Sequence, residues 1–181
     1  SIWDDGQDLR GLPLPFDFEG VPKQRVDLIK EGVATGVVYD SYRAGKEEGK
    51  SSTGHALPAP STFGPFPMNA FFGPGDATLE EMISSTERGL YVTRFHYTRP
   101  VEPTQVVVTG MTRDGTFLIE NGKIAYPVKN LRFTQSYLEA LNQVDMIGEQ
   151  LRLLAGMGGI GGTLQPALKL GSFNFTGATE F

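Results

Sequence analysis

Cysteine is absent from the 181 residues, and histidine occurs only twice, as His55 and His96. The first absence excludes disulfides, thiol nucleophiles and thiolate metal ligands together. With so few imidazoles, a metal site made wholly within this chain would have to lean on carboxylates, and no H-E-x-x-H pair is present. No run approaches the ~20 apolar residues of a membrane span, so no membrane partner is expected. Basic residues are also too few for a nucleic-acid footprint: 16 Lys and Arg against 21 Asp and Glu leave a net charge of −5, the wrong sign for phosphate backbones or anionic lipid. The lack of disulfides and of a secretory leader predicts a cytoplasmic address. The chain opens on Ser1 rather than Met and is expected to be a piece of something longer.

What the sequence does hold is loop-forming residues in quantity. Its 23 glycines and 12 prolines exclude a helical bundle, while 39% hydrophobic and 10% aromatic residues exclude disorder. The opening Ser1 to Pro22 carries Pro13, Pro15 and Pro22 among Asp4, Asp5, Asp8, Asp17 and Glu19, with no helical period, and is expected to be an extended lead-in. Arg25 to Ile29, the Lys30-Glu31-Gly32 turn and Val33 to Tyr39 predict a hairpin. Thr116 to Glu120, Asn121-Gly122 and Lys123 to Val128 predict a second, because Asn-Gly tolerates the positive φ of a type I′ turn. Leu90 to Thr98 and Gln105 to Met111, joined through Pro100 and Pro103, supply two further strands, and Arg113-Asp114-Gly115 is expected to turn between strands.

Two helices announce themselves by capping boxes, Thr78-Leu79-Glu80-Glu81 and Ser136-Tyr137-Leu138-Glu139. Apolar spacing predicts that the second resumes after a break near Asp145 and runs through Leu151 and Leu154 to Gly156. The fold expected is α+β over one domain, residues 1–181: a predominantly antiparallel sheet (hairpins, sandwich or partly closed barrel) with two or three short helices.

Two uncharged stretches interrupt this pattern. Ser51 to Gly75 has no Asp, Glu, Lys or Arg but contains five prolines and Phe63, Phe66, Phe71 and Phe72. It cannot be helical, and so apolar an irregular segment either packs across the sheet or faces a partner. The second, Leu153 to Leu168, includes Gly156-Met157-Gly158-Gly159-Ile160-Gly161. That formally matches G-x-G-x-x-G, but is rejected as a dinucleotide loop because it is expected to follow a helix rather than a strand and opens no helix of its own. His96 alternates with Phe95 and Tyr97 as a sheet-face residue. His55 sits in the polar turn Ser51-Ser52-Thr53-Gly54-His55. No G-x-S-x-G elbow anchors a Ser/His/Asp arrangement, and no catalytic or metal-binding residue is assigned.

Read continuously, Gly110-Met111-Thr112-Arg113-Asp114-Gly115-Thr116-Phe117-Leu118-Ile119-Glu120-Asn121-Gly122-Lys123-Ile124, followed by Pro127-Val128-Lys129-Asn130-Leu131-Arg132-Phe133, resembles the carboxy-terminal domain of the TldD/PmbA family, peptidase-related proteins once called modulators of DNA gyrase. Phe18-Glu19-Gly20 with Pro22 and Val26, the Ser52-Thr53-Gly54 turn, Asn69, Pro74-Gly75-Asp76 and Glu87 to Thr93 follow in the order the family shows, so the resemblance covers nearly the whole chain. It implies zinc-dependent proteolysis of unfolded or flexible peptides, with roles in maturing peptide antibiotics and degrading antitoxins. The assembly it implies is a dimer of like subunits or a cytoplasmic TldD/TldE-type heterodimer.

The family's zinc histidines belong to an H-E-x-x-x-H helix upstream of the region resembled. A further ligand in TldD-like members is a cysteine in a Cys-Gly-Lys setting near the carboxy terminus, where this chain has Gly171-Ser172-Phe173-Asn174-Phe175-Thr176. The resemblance therefore implies no cofactor in this chain, with zinc in the full-length protein or its partner subunit. The alternative is a non-catalytic PmbA/TldE-like assembly subunit without metal. The chain alone is expected to be inactive. An uncharged Phe/Pro loop beside sheet edges suits capture of an extended peptide, and His55, Phe63, Phe66, Asn69, Phe71 and Phe72 are the candidate substrate or subunit contacts.

Overall fold

The structure, a computed structural model, describes residues 1–156 and 161–178. The chain divides into two compact units, residues 1–74 with 150–166 and residues 75–149 with the segment from Ala167 onward. It is an α+β fold of open, mostly antiparallel sheets with three short helices among the described residues.

In the first unit the strands are β1 (Ile2–Asp4), β2 (Val26–Lys30), β3 (Val33–Ala34) and β4 (Asn69–Phe72), with a single helical turn, α1 (Ser41–Ala44). Strand β1 is flanked on both edges: Trp3 pairs with Asp27 of β2 and with Phe71 of β4, both antiparallel. The expected extended lead-in thus begins as an inner strand. The first predicted hairpin forms around Glu31 (φ 50°) and Gly32 (φ 83°). Its return strand stops at Ala34, since beyond Thr35, whose amide still reaches Leu28 O at 3.0 Å, the chain leaves the ladder. A parallel pairing continues this sheet beyond β4, with Leu164 opposite Phe71.

The second unit is built on β5 (Arg88–Glu102), β6 (Val107–Glu120), β7 (Lys123–Pro127), β8 (Leu131–Ser136) and β11 (Phe175–Ala178), in the order β11-β8-β6-β5, with β7 also on β6. Helices α2 (Leu79–Ser84) and α3 (Tyr137–Leu141) accompany them. The Thr78 box closes as expected: Thr78 Oγ1 accepts from the Glu81 amide at 3.1 Å and Glu81 Oε2 accepts from the Thr78 amide at 2.8 Å. At Ser136 only the forward half forms, to the Glu139 amide at 3.4 Å, because Ser136 is also the last residue of β8 and pairs with Val107. Asn121 (φ 51°) and Gly122 (φ 72°) make the predicted tight turn. A Cβ on Gly122 would stand 2.6 Å from Ser84 O, so both the dihedral and the space require glycine.

Three local expectations are corrected. Arg113-Asp114-Gly115 does not end a strand. It is an irregularity inside β6, where the register against β5 slips between Val92 and Arg94 and Asp114 takes φ 65°. The segment after Asp145 is strand β9 (Val144–Ala155), adjacent to β10 (Gly162–Leu170), rather than a resumed helix. Short apolar runs do not separate the two periods, and the available sheet partner decides. The glycine motif consequently follows a strand. Residues 157–160 of it lie outside the described residues, but what comes next is β10, so no helix opens behind it.

Candidate functional site

A densely bonded polar cluster in the first unit is assembled from segments far apart in sequence. Asp4, at the end of β1, is held between Val26 and Ala70 of its two neighbouring strands, which places its side chain inside the protein. His55 approaches from the loop before β4, and its Nε2 lies 2.9 Å from Asp4 Oδ1. Lys23 enters from the segment before β2, with Nζ 3.6 Å from the same oxygen and 3.2 Å from the Gly54 carbonyl it donates to. All three side chains are fully buried. Gly54 sits at φ 77°, and a Cβ there would meet Pro22 O at 2.5 Å, so the turn can press this closely on Lys23 only as glycine.

Burial alone would push the Asp4 carboxyl up. The His55 hydrogen bond, the Lys23 ammonium and the Asn69 amide together override it and hold the group below its ordinary 3.8. For Lys23 burial is the largest influence and lowers the ammonium's pKa, with Asp4 opposing. The second carboxylate oxygen of Asp4 accepts from the Asn69 amide at 2.8 Å.

Asn69 and Asp17 carry the surrounding frame. The Asn69 side chain donates to the carbonyls of Asp5 at 2.6 Å and Asp8 at 3.0 Å, and its oxygen accepts from the Leu12 amide at 2.8 Å. Asp17 accepts from the amides of Glu19 and Val21 through Oδ1 and of Ala56 through Oδ2, each at 2.9 Å. The lead-in segment is thereby pinned onto β4 and onto the His55 loop. On the other side of His55, Nδ1 lies 2.9 Å from Thr53 Oγ1. Thr53 lines an open groove of about 560 Å³ together with Val26, Ala34, Val37, Lys50 and Ser51.

The candidate contacts separate into two groups. His55 and Asn69 are 0% exposed and Phe71 is 1% exposed. Phe71 stacks on Trp3 at 5.6 Å between ring centroids, with the Arg10 guanidinium over its ring. Phe63 and Phe66 are 77% and 43% exposed, and Phe72 is half-buried. His55 is therefore no part of a loose polar turn. Asp4, Asp17, Lys23 and Thr53 escaped the sequence reading. The available signal was Asp17-Phe18-Glu19-Gly20, an Asp two residues before the amide it accepts from. Asp4 and Lys23 show nothing locally that marks them as buried. His96 lies in β5 of the second unit.

Zinc, which the resemblance implies for the full-length protein, does not fit the residues here. Both His55 nitrogens and both Asp4 oxygens already have partners, and Lys23 adds a cation beside them. Among the described residues no three His, Asp or Glu side chains converge to hold a metal, and no helix is long and apolar enough to cross a membrane.

Comparison with known proteins gives one consistent result. The family model described as PmbA/TldA metallopeptidase C-terminal domain matches residues 1–177. The chain is 31% identical over 186 residues to the metalloprotease TldD homolog of Haemophilus influenzae, a match covering 94% of this chain and 37% of that protein. It is 30% identical over 165 residues to the metalloprotease PmbA of Escherichia coli O157:H7, covering 90% of this chain and 33% of that one. The crystal structure of TldE from Thermococcus kodakarensis matches with a TM-score of 0.81 at 24% identity, over 97% of this chain and 39% of that chain. The chain thus spans well under half the length of these relatives.

Proposed function

The chain belongs to the PmbA/TldA metallopeptidase family as its C-terminal domain, and from that premise we propose that it forms part of a zinc-dependent metallopeptidase acting on unfolded or flexible peptides. On this reading residues 1–181 work as one domain of a longer, cytoplasmic protein, contributing substrate-cleft and subunit contacts within a homodimer or a TldD/TldE-type heterodimer. The metal and its histidines are supplied outside this chain. The observation that carries the reading is the exposed aromatic pair Phe63 and Phe66 on a segment without a single charge, in a chain whose residues 1–177 match a metallopeptidase family. Apolar contacts of this kind accept varied side chains and discriminate little by sequence, as capture of unfolded chains requires. The acidic net charge argues against nucleic acid as the partner.

The buried candidates enter this function indirectly. Asn69 and His55 hold the lead-in and the loop in place, and Phe66 is tied to the same loop through its amide, which donates to His55 O at 2.9 Å. The test is cleavage of an unfolded peptide by the full-length protein with zinc, alone and with its partner. Cleavage lost on chelation and weakened in Phe63→Ser and Phe66→Ser supports the reading, and no cleavage in either setting overturns it. A second reading, a non-catalytic TldE-like subunit, rests on the absence of cysteine from the whole chain, including the carboxy-terminal stretch where TldD-like members carry a ligand. Stoichiometric zinc in the purified full-length protein would remove it.

A further inference from the structure

Hydrogen bonding around Thr53 determines where its proton points. The Tyr39 carbonyl already accepts from the Thr53 amide at 3.1 Å and from Ser52 Oγ at 3.3 Å. Thr53 Oγ1 accepts from the Tyr39 amide at 2.8 Å. Its own proton has two destinations, the crowded Tyr39 carbonyl at 3.2 Å or His55 Nδ1 at 2.9 Å. The shorter and otherwise unfilled contact is to the imidazole. With Nδ1 accepting, the ring proton stands on Nε2 and is donated to Asp4 Oδ1 at 2.9 Å, an oxygen of an acceptor-only group. Thr53 Oγ1 and both imidazole nitrogens are then each satisfied, and Asp4 Oδ1 takes the ring proton beside the Lys23 ammonium at 3.6 Å. The result is a hydroxyl bonded to a base that is itself oriented by a buried carboxylate.

We propose that Thr53, His55 and Asp4 form an acyl-transfer triad that needs no metal, with Thr53 Oγ1 as the nucleophile and a small activated ester as the substrate class. The groove that Thr53 lines gives the substrate its character. Val26, Ala34 and Val37 supply apolar wall for a short acyl chain, and Lys50 supplies positive charge for the oxyanion or for an anionic carrier group. The Tyr39 amide, already aimed at Oγ1, favours the developing alkoxide. Thr53 Oγ1 attacks the acyl carbon as its proton passes to His55 Nδ1. The carbon–oxygen bond to the leaving group then breaks, and the departing oxygen takes that proton. Water attacks the acyl-threonine and gives its proton to Nδ1, which returns one to Oγ1 as the acyl group leaves as a carboxylic acid. Such a triad gives the chain a hydrolytic group of its own, against the expectation raised by its missing cysteine and scattered histidines.

The experiment is acetylation of the full-length protein by p-nitrophenyl acetate in the presence of a chelator, followed by peptide mapping. One acetyl group on Thr53 and a burst of nitrophenolate are expected. Thr53→Val and His55→Asn should slow the burst about a hundredfold or more, while Thr53→Ser should retain it. Circular dichroism checks that each variant is folded. Because labelling of the unaltered protein is read directly, the test does not depend on a variant folding. Acetyl found only on lysines, no acetyl at position 53, or an unchanged burst in folded Thr53→Val would each overturn the proposal.

Discussion

The Asn69 main-chain amide donates to Asp4 Oδ2 at 2.8 Å, joining residues 65 positions apart. That one bond connects the start of β4 to the end of β1 through a side chain rather than through the strand ladder. It leaves Asp4 with a donor on each oxygen: Asn69 on one, His55 and Lys23 on the other. A buried carboxylate in this position is tolerable only while all of its partners are present.

Removing Asp4 should accordingly be costly. Asp4→Ala leaves the Lys23 ammonium buried without its counter-ion, and a loss of about 3–5 kcal/mol in urea unfolding is expected. Pairing it with Lys23→Met should recover part of that loss, because the orphaned charge goes too. A double variant no more stable than Asp4→Ala would show that the ion pair is not what the site depends on.

Acid should destabilise the fold through the same group. Because the folded-state pKa of Asp4 lies below its ordinary 3.8, its contribution is complete above that value and disappears as the pH falls through the lower folded value. Asp8, drawn down to about 2 by its hydrogen bonds from Arg10, behaves the same way, but as a surface pair it contributes little and is screened by salt. Urea midpoints followed from about pH 5 to about pH 2 should fall, and the fall should be shallower in Asp4→Asn.

Asn69→Ala removes one acceptor and two donors that fix the turn from Asp5 to Leu12. With buried polar groups left unpaired, a loss of about 2–3 kcal/mol is expected. Limited proteolysis should detect a loosened lead-in. Cleavage between residues 5 and 12 no faster than in the unaltered protein would count against this role.

In the second unit, Gly122→Ala should destabilise by more than the ~1–2 kcal/mol of a left-handed dihedral alone, because the added methyl meets Ser84 O at 2.6 Å. Gly20, also at positive φ (79°) but with nothing within 4 Å of the place a Cβ would occupy, provides the control. Gly20→Ala should show only the dihedral cost. Thermal unfolding of the two variants separates strain from collision.

Exposed Phe63 and Phe66 can be tested without disturbing the core. Phe63→Ser and Phe66→Ser should leave the unfolding free energy in urea within about 0.5 kcal/mol of the unaltered protein, and binding of an unfolded peptide should weaken. Equal binding in the double variant would remove this loop from the proposed contact surface.

Wherever a residue's conformation is set by its immediate neighbours, the amino-acid order was enough. Asn121-Gly122 specifies its turn because both residues accept positive φ, and Thr78 with Glu81 specifies a helix start because the two groups satisfy each other's amides three positions apart. The chain's membership of its family follows from residues legible in the same way. Val144 to Ala155 was not legible, since an apolar run of that length packs as helix or strand according to what lies beside it, and here β10 does. Nor was the polar cluster. Asp4 and Lys23 read locally as solvated charges. They are buried only because the turn at Gly54 brings His55 and Thr53 to them, and the pairing of β1 with β4 brings the Asn69 amide. Desolvating a charge is unfavourable until its partners arrive, and those partners come from three distant parts of the chain, so tertiary structure alone decided that this site exists.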